Sequence, residues 1–116
     1  MIKLKACPNS PNCVSSQTES FIHQISPLIY QSSQQQAIEK IKQSVLVLPR
    51  SKLIKQTEQY LQFEFKSCIF GFVDDVDIIV DDREKKIHLR SASRVGYSDF
   101  GVNRRRIETI KKNFSS

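Results

Sequence analysis

Between Arg90 and Arg106 the chain reads RSASRVGYSDFGVNRRR, with five arginines and three serines in seventeen residues. A guanidinium presents a planar fork of N–H donors that matches a carboxylate or phosphate, and a hydroxyl beside it can orient the bound group. An apolar strand enters this stretch and a helix leaves it. Arg104, Arg105 and Arg106 fall in the first turn of that helix, whose end already carries partial positive charge. Cations there cost about 0.3–1 kcal/mol each. Free backbone N–H groups and guanidiniums together call for an anion. The expected chemistry is recognition of an anionic small molecule, or of an acidic protein or lipid group. Arg90, Arg94, Arg104 and Arg105 would hold it. Ser91, Ser93 and Ser98 would orient it, while Asp99 or Asn103 caps the helix.

The anion can also be internal. Asp74, Asp75 and Asp77 lie one strand earlier, and cross-strand pairing of Asp75 or Asp77 with Arg90 or Arg94 would make a structural clasp. These carboxylates lack the glycine and terminal glutamate of a calcium loop, so no metal and no cofactor is expected.

Near the N-terminus, Cys7-Pro-Asn-Ser-Pro-Asn-Cys13 is turn-rich, and Asn12, Ser15 and Ser16 add an amide and hydroxyls. This loop is expected to fold back beside the arginine junction and complete the site. Cys7 and Cys13 are expected as free thiols whose Cα atoms lie within about 7 Å, close enough to oxidise. Their spacing is not that of a zinc site.

Catalysis is an alternative, as a small hydrolase or thiol-dependent enzyme. Cys7, Cys13, Ser15, Ser16, Ser91, Ser93 and Ser98 are candidate nucleophiles, with His88 or His23 as base. No nucleophile elbow, zincin, phosphate-loop or dinucleotide fingerprint is present. Nucleic-acid binding through Arg104–Arg106, Tyr97 and Phe100 ranks below both, since no base-stacking signature accompanies the charge.

The elements that must position these groups follow from periodicity. Residues 1–32 read as a loop-rich arm with Pro8, Pro11 and Pro27. Ser33-Gln-Gln-Gln36 fits a capping box, and Ile38, Ile41, Val45 and Leu48 recur at helical spacing, giving a helix over 33–48 ended by Pro49. Residues 52–94 alternate apolar and polar, as in Leu61, Phe63 and Phe65 against Gln62, Glu64 and Lys66. One dry and one wet face mean an antiparallel sheet, here of about four strands. A helix over 102–114 carries Ile107, Ile110 and Phe114. The fold class is α+β, one domain, with both helices covering one face of the sheet.

Length and charge bound the rest. At 116 residues the chain is long enough for one self-sufficient core. The net charge of +6 is uneven: residues 1–49 carry +2, residues 50–82 carry −3, and residues 83–116 carry +7. The positive field thus belongs to the arginine stretch. No apolar run spans a membrane and no secretory core is visible, so the expected location is the cytoplasm.

CPNSPNCVSSQ at Cys7–Gln17, ISPL at Ile25–Leu28, DDVD at Asp74–Asp77 and the stretch from Arg90 to Arg106 together resemble the signature of domain-of-unknown-function family 1499, a bacterial and plant family. The resemblance covers nearly the whole chain. It implies no established activity, and it makes a shared polar site at these residues more plausible.

Overall fold

The computed structural model describes residues 3–116. In chain order the elements are β1 (Cys13–Ser15), β2 (Leu28–Ile29), α1 (Gln34–Leu46), β3 (Ser51–Gln56), β4 (Tyr60–Lys66), β5 (Val73–Asp81), β6 (Lys86–Ser93) and α2 (Val102–Ser115). The four expected strands form an antiparallel meander, in the order β3-β4-β5-β6. The sheet has six strands, however, not about four. The arm supplies the other two: β1 pairs with Arg90–Ala92 and β2 with Lys86–Ile87, both on the free edge of β6. An uncovered edge leaves a row of unpaired N–H and C=O groups, and the arm satisfies them. Segments of three and two residues are too short to show a period of two, which is why they read as loop.

Ser33 caps α1 through the full capping box, its hydroxyl accepting from Gln36 N at 3.1 Å and its own N–H donating to Gln36 Oε1 at 3.3 Å. Ile38, Ile41 and Val45 from α1 meet Ile107, Ile110 and Phe114 from α2 in one core, built on Leu61, Phe63, Val76, Ile78, Ile87 and Leu89 of the sheet. Both helices therefore cover one face. The opposite face presents Gln62, Glu64, Asp75, Asp77, Arg90 and Arg94.

Cys7 and Cys13 are not free thiols: they form a disulfide, with Cα atoms 5.7 Å apart. The pairing of Cys13 with Ala92 in the sheet holds one half in place, and the Pro-Asn turns bring the other back to it. Cys68 is free and exposed. Closing so short a loop restricts the unfolded chain modestly, so replacing Cys7 by serine is expected to cost about 2 kcal/mol. Urea unfolding with and without reductant measures this. An unchanged midpoint on reduction would show that the arm is held by the sheet alone.

Candidate functional site

The arginine–serine stretch is divided by the pleat of β6. Ser91 and Ser93 continue the inward parity of Ile87 and Leu89, whereas Arg90 and Arg94 point to the other face. The inward half meets α2. Asn103, fully buried, stands at its centre. Its Nδ2 donates to Asp99 Oδ2 at 2.7 Å, Ser93 Oγ at 2.9 Å and the Asn12 carbonyl at 3.1 Å. Its Oδ1 accepts from Ser91 Oγ at 2.6 Å and Arg106 Nη1 at 2.7 Å. Arg106 in turn reaches Asp74 Oδ2 at 2.9 Å and stacks over the Phe65 ring. The first turn of α2 is satisfied by Asp99, which accepts from Gly101 N at 2.8 Å and Asn103 N at 3.0 Å. Burial pushes the Asp99 carboxyl up, but these donors outweigh it and hold it below the usual carboxylate range. The helix N-terminus is thus occupied by the protein's own carboxylate.

On the outer face Arg94 makes a bidentate pair with Asp75, at 2.9 and 2.8 Å, and a further bond to Glu64 at 2.6 Å. These carboxylates raise its pKa further. Arg104 donates to the carbonyls of Gln24 at 3.0 Å and Ile22 at 3.1 Å. Arg105 donates to the carbonyl of Phe100 at 2.9 Å. The fourteen expected binding residues therefore do not converge on one point. Asn12, Ser91, Ser93, Asp99 and Asn103 meet in the clasp. Arg94, Arg104 and Arg105 serve separate contacts, and Ser98 is exposed beside the clasp.

The arm does return to β6. Asn12 Nδ2 donates to the Gly96 carbonyl at 2.8 Å, and Ser15 pairs with Arg90 across the strands. Ser16 Oγ accepts from Leu89 N at 2.9 Å and lies 3.0 Å from His88 Nδ1. Burial pushes the His88 imidazole down, favouring the neutral form that could accept a proton. The same Ser16 oxygen also accepts the backbone bond that fastens the arm to β6. Cys7 and Cys13, as a disulfide, supply no thiolate.

Arg90 differs from its neighbours. Its side chain is 8 % exposed, and its contacts are long: Asp77 Oδ2 at 3.7 Å and the Ala6 carbonyl at 3.3 Å. Its Nε is buried with no hydrogen-bond partner among the described residues. Tyr60 donates its hydroxyl to Asp77, and burial followed by that bond raises the phenol's pKa, keeping it a donor. Above this floor lies a groove of about 510 Å³, ringed by Lys3, Lys5 and Lys55. Its four cations face two carboxylates, and one of these, Asp75, is already bound to Arg94. Among the described residues no cluster of three or more His, Cys, Asp or Glu could hold a metal ion.

Sequence reasoning missed Lys3, Lys5, Lys55 and Tyr60, which are distant from Arg90 in the chain: strand pairing brings Lys55 and Tyr60 to the groove, and the N-terminal arm brings Lys3 and Lys5. It placed Arg106 in the first turn of the helix but left it out of the expected site and did not pair it with Asp74. The signal available was spacing: Asn103 and Arg106 are three apart, on the helix face that continues to Ile107 and Ile110.

Fold and site together define a class: an α+β domain whose six-stranded antiparallel sheet carries two helices on one face and a basic groove on the other. Within it, the chain belongs to the family described as protein of unknown function, DUF1499, whose model matches residues 3–114. No curated protein matches it. Among the described residues no helix is long and apolar enough to cross a membrane.

Proposed function

We propose that this protein is a binding domain for a small multivalent anion, taken up in the outer-face groove and anchored by Arg90. The observation that carries the reading is the guanidinium of Arg90, buried with, among the described residues, an unpartnered Nε and only long contacts. Buried charge is costly unless closely hydrogen-bonded, so a guanidinium in this state gains from an added anion. Lys3, Lys5 and Lys55 supply mobile positive charge around it, suited to phosphoryl or carboxylate groups whose geometry varies. The arginine-rich stretch thus divides its labour: Arg94, Arg104, Arg105 and Arg106 build the domain, and Arg90 binds.

Inorganic pyrophosphate and citrate are suitable probes, followed by amide and side-chain NMR shifts. A charge-assisted hydrogen bond contributes about 1.5–3 kcal/mol, so Arg90→Gln is expected to weaken binding about ten- to hundredfold. Lys55→Gln, on an exposed side chain, is expected to weaken it severalfold with the unfolding midpoint unchanged. Shifts confined to the groove support the reading. Affinity unaltered in both variants, or absent in the wild-type chain at low salt, rules it out.

A further inference from the structure

Two loops leave the same end of the sheet. One joins β4 to β5 and is closed by Ser67 N donating to the Phe72 carbonyl at 2.8 Å. The other joins β6 to α2. They are neighbours because Asp74 pairs with Ser93, and Arg94 N donates to the Val73 carbonyl at 3.2 Å. Together they expose Ile69, Phe70, Phe72, Val95, Tyr97 and Phe100, half of the twelve exposed large apolar side chains among the described residues. Phe100 is 87 % exposed and Ile69 84 %. Scattered apolar residues need no explanation, but a concentration at one end does.

The backbone at Phe100 is shaped to hold its ring out. Phe100 lies in the left-handed region at φ 54°, uncommon for a bulky residue. Its carbonyl is pinned by Arg105 and its N–H donates to Ser98 Oγ at 3.3 Å. Gly101 follows at φ 81°, where an added Cβ would sit 2.9 Å from Arg105 Nη1. The ring is therefore presented to solvent by a turn that the rest of the loop enforces.

Between the two crests lies a cleft of about 760 Å³ whose lining includes Arg50 and Lys66. Neither forms a salt bridge among the described residues, whereas nearby Asp74 and Asp75 are paired with Arg106 and Arg94, and Asp99 is spent on the helix cap. Exposed apolar rings therefore stand beside cations that have no carboxylate partner among the described residues. They match a lipid–water interface, where rings enter the acyl boundary and cations meet phosphates.

We propose that this end of the domain docks peripherally on a bilayer surface containing anionic lipid, inserting Phe70, Tyr97 and Phe100. Arg50 and Lys66 lie at the headgroups. The test is co-sedimentation with phosphatidylcholine–phosphatidylglycerol vesicles against phosphatidylcholine alone. The wild-type chain is expected to partition to the mixed vesicles and much less to the neutral ones. Phe70→Ser with Phe100→Ser removes only exposed rings, and partitioning is expected to fall about tenfold or more. Arg50→Gln with Lys66→Gln is expected to reduce it about fivefold per cation. The chain has no tryptophan, so Tyr97→Trp provides a single reporter whose emission should shift to the blue on mixed vesicles. No binding to mixed vesicles at low salt, or equal binding by the ring variant, overturns the proposal. So does a tryptophan shift that depends on protein concentration without lipid, since a second copy of the chain would then cover the rings.

Discussion

Replacing Asn103 by alanine is expected to lower the unfolding free energy by about 3–5 kcal/mol, through groups left buried without partners. The amide is fully buried and bonds to groups from four parts of the chain. Asn12 belongs to the arm, Ser91 and Ser93 to β6, Asp99 to the loop, and Arg106 to α2. Alanine removes both ends of the amide: the Ser91 hydroxyl loses its acceptor, and Ser93 Oγ and Asp99 Oδ2 lose a donor, where water enters poorly. The Asn12 carbonyl keeps Ser93 N at 3.0 Å, and Arg106 Nη1 keeps Ser91 Oγ at 3.2 Å. The surrounding carboxylate and hydroxyls use donor and acceptor ends of one amide, so Asn103→Asp is expected to be no rescue: it sets a second carboxylate against Asp99. Urea denaturation followed by circular dichroism measures both. A cost below about 1 kcal/mol for alanine would show that the network contributes little and that the stretch is maintained for some other purpose.

Arg106→Leu is expected to cost about 3 kcal/mol, far more than Arg94→Gln, although both arginines pair with aspartates of the same strand. The difference is burial. The Arg106 and Asp74 side chains are 13 % and 16 % exposed, so removing the guanidinium leaves a poorly solvated carboxylate on the core side of the sheet. It also removes a cation lying 4.5 Å from the centre of the Phe65 ring. Arg94 is 47 % exposed, and water and salt replace much of what its carboxylates provide. Asp74→Asn in the Arg106→Leu background should recover part of the loss, because it neutralises the orphan. Equal costs for Arg94 and Arg106, or no recovery in the double variant, would mean that the pair is not a buried clasp.

Much of the fold was legible from local pattern. The capping box at Ser33, the helical spacing of Ile38, Ile41 and Val45, and the alternation through Leu61, Phe63 and Phe65 each depend on neighbours a few residues away. Backbone hydrogen bonding and burial act at that range, and the elements appear where those patterns place them. The alternation of hydroxyls and guanidiniums along β6 was legible for the same reason: a strand's period of two is set by its own backbone. The disulfide was half legible, since the turn-rich spacing allowed Cys7 and Cys13 to approach but could not say that they would be joined.

What the tertiary structure alone decided is which partner each polar group meets. Residues 13–15 and 28–29 became strands because β6 offered an open edge, a fact about another part of the chain. Five arginines in one stretch looked alike by composition, yet long-range packing took Arg106 into the clasp, Arg94 onto Asp75 and Glu64 and Arg104 onto arm carbonyls, while Arg105 turned back onto its own loop. Arg90 alone was left underbonded at the floor of a groove, with lysines from the N-terminus and β3 around it. Side-chain type and local spacing determine the chemistry a residue can offer. Whether that chemistry is consumed internally or kept for a ligand depends on groups brought near from tens of residues away, and no local pattern carries that information.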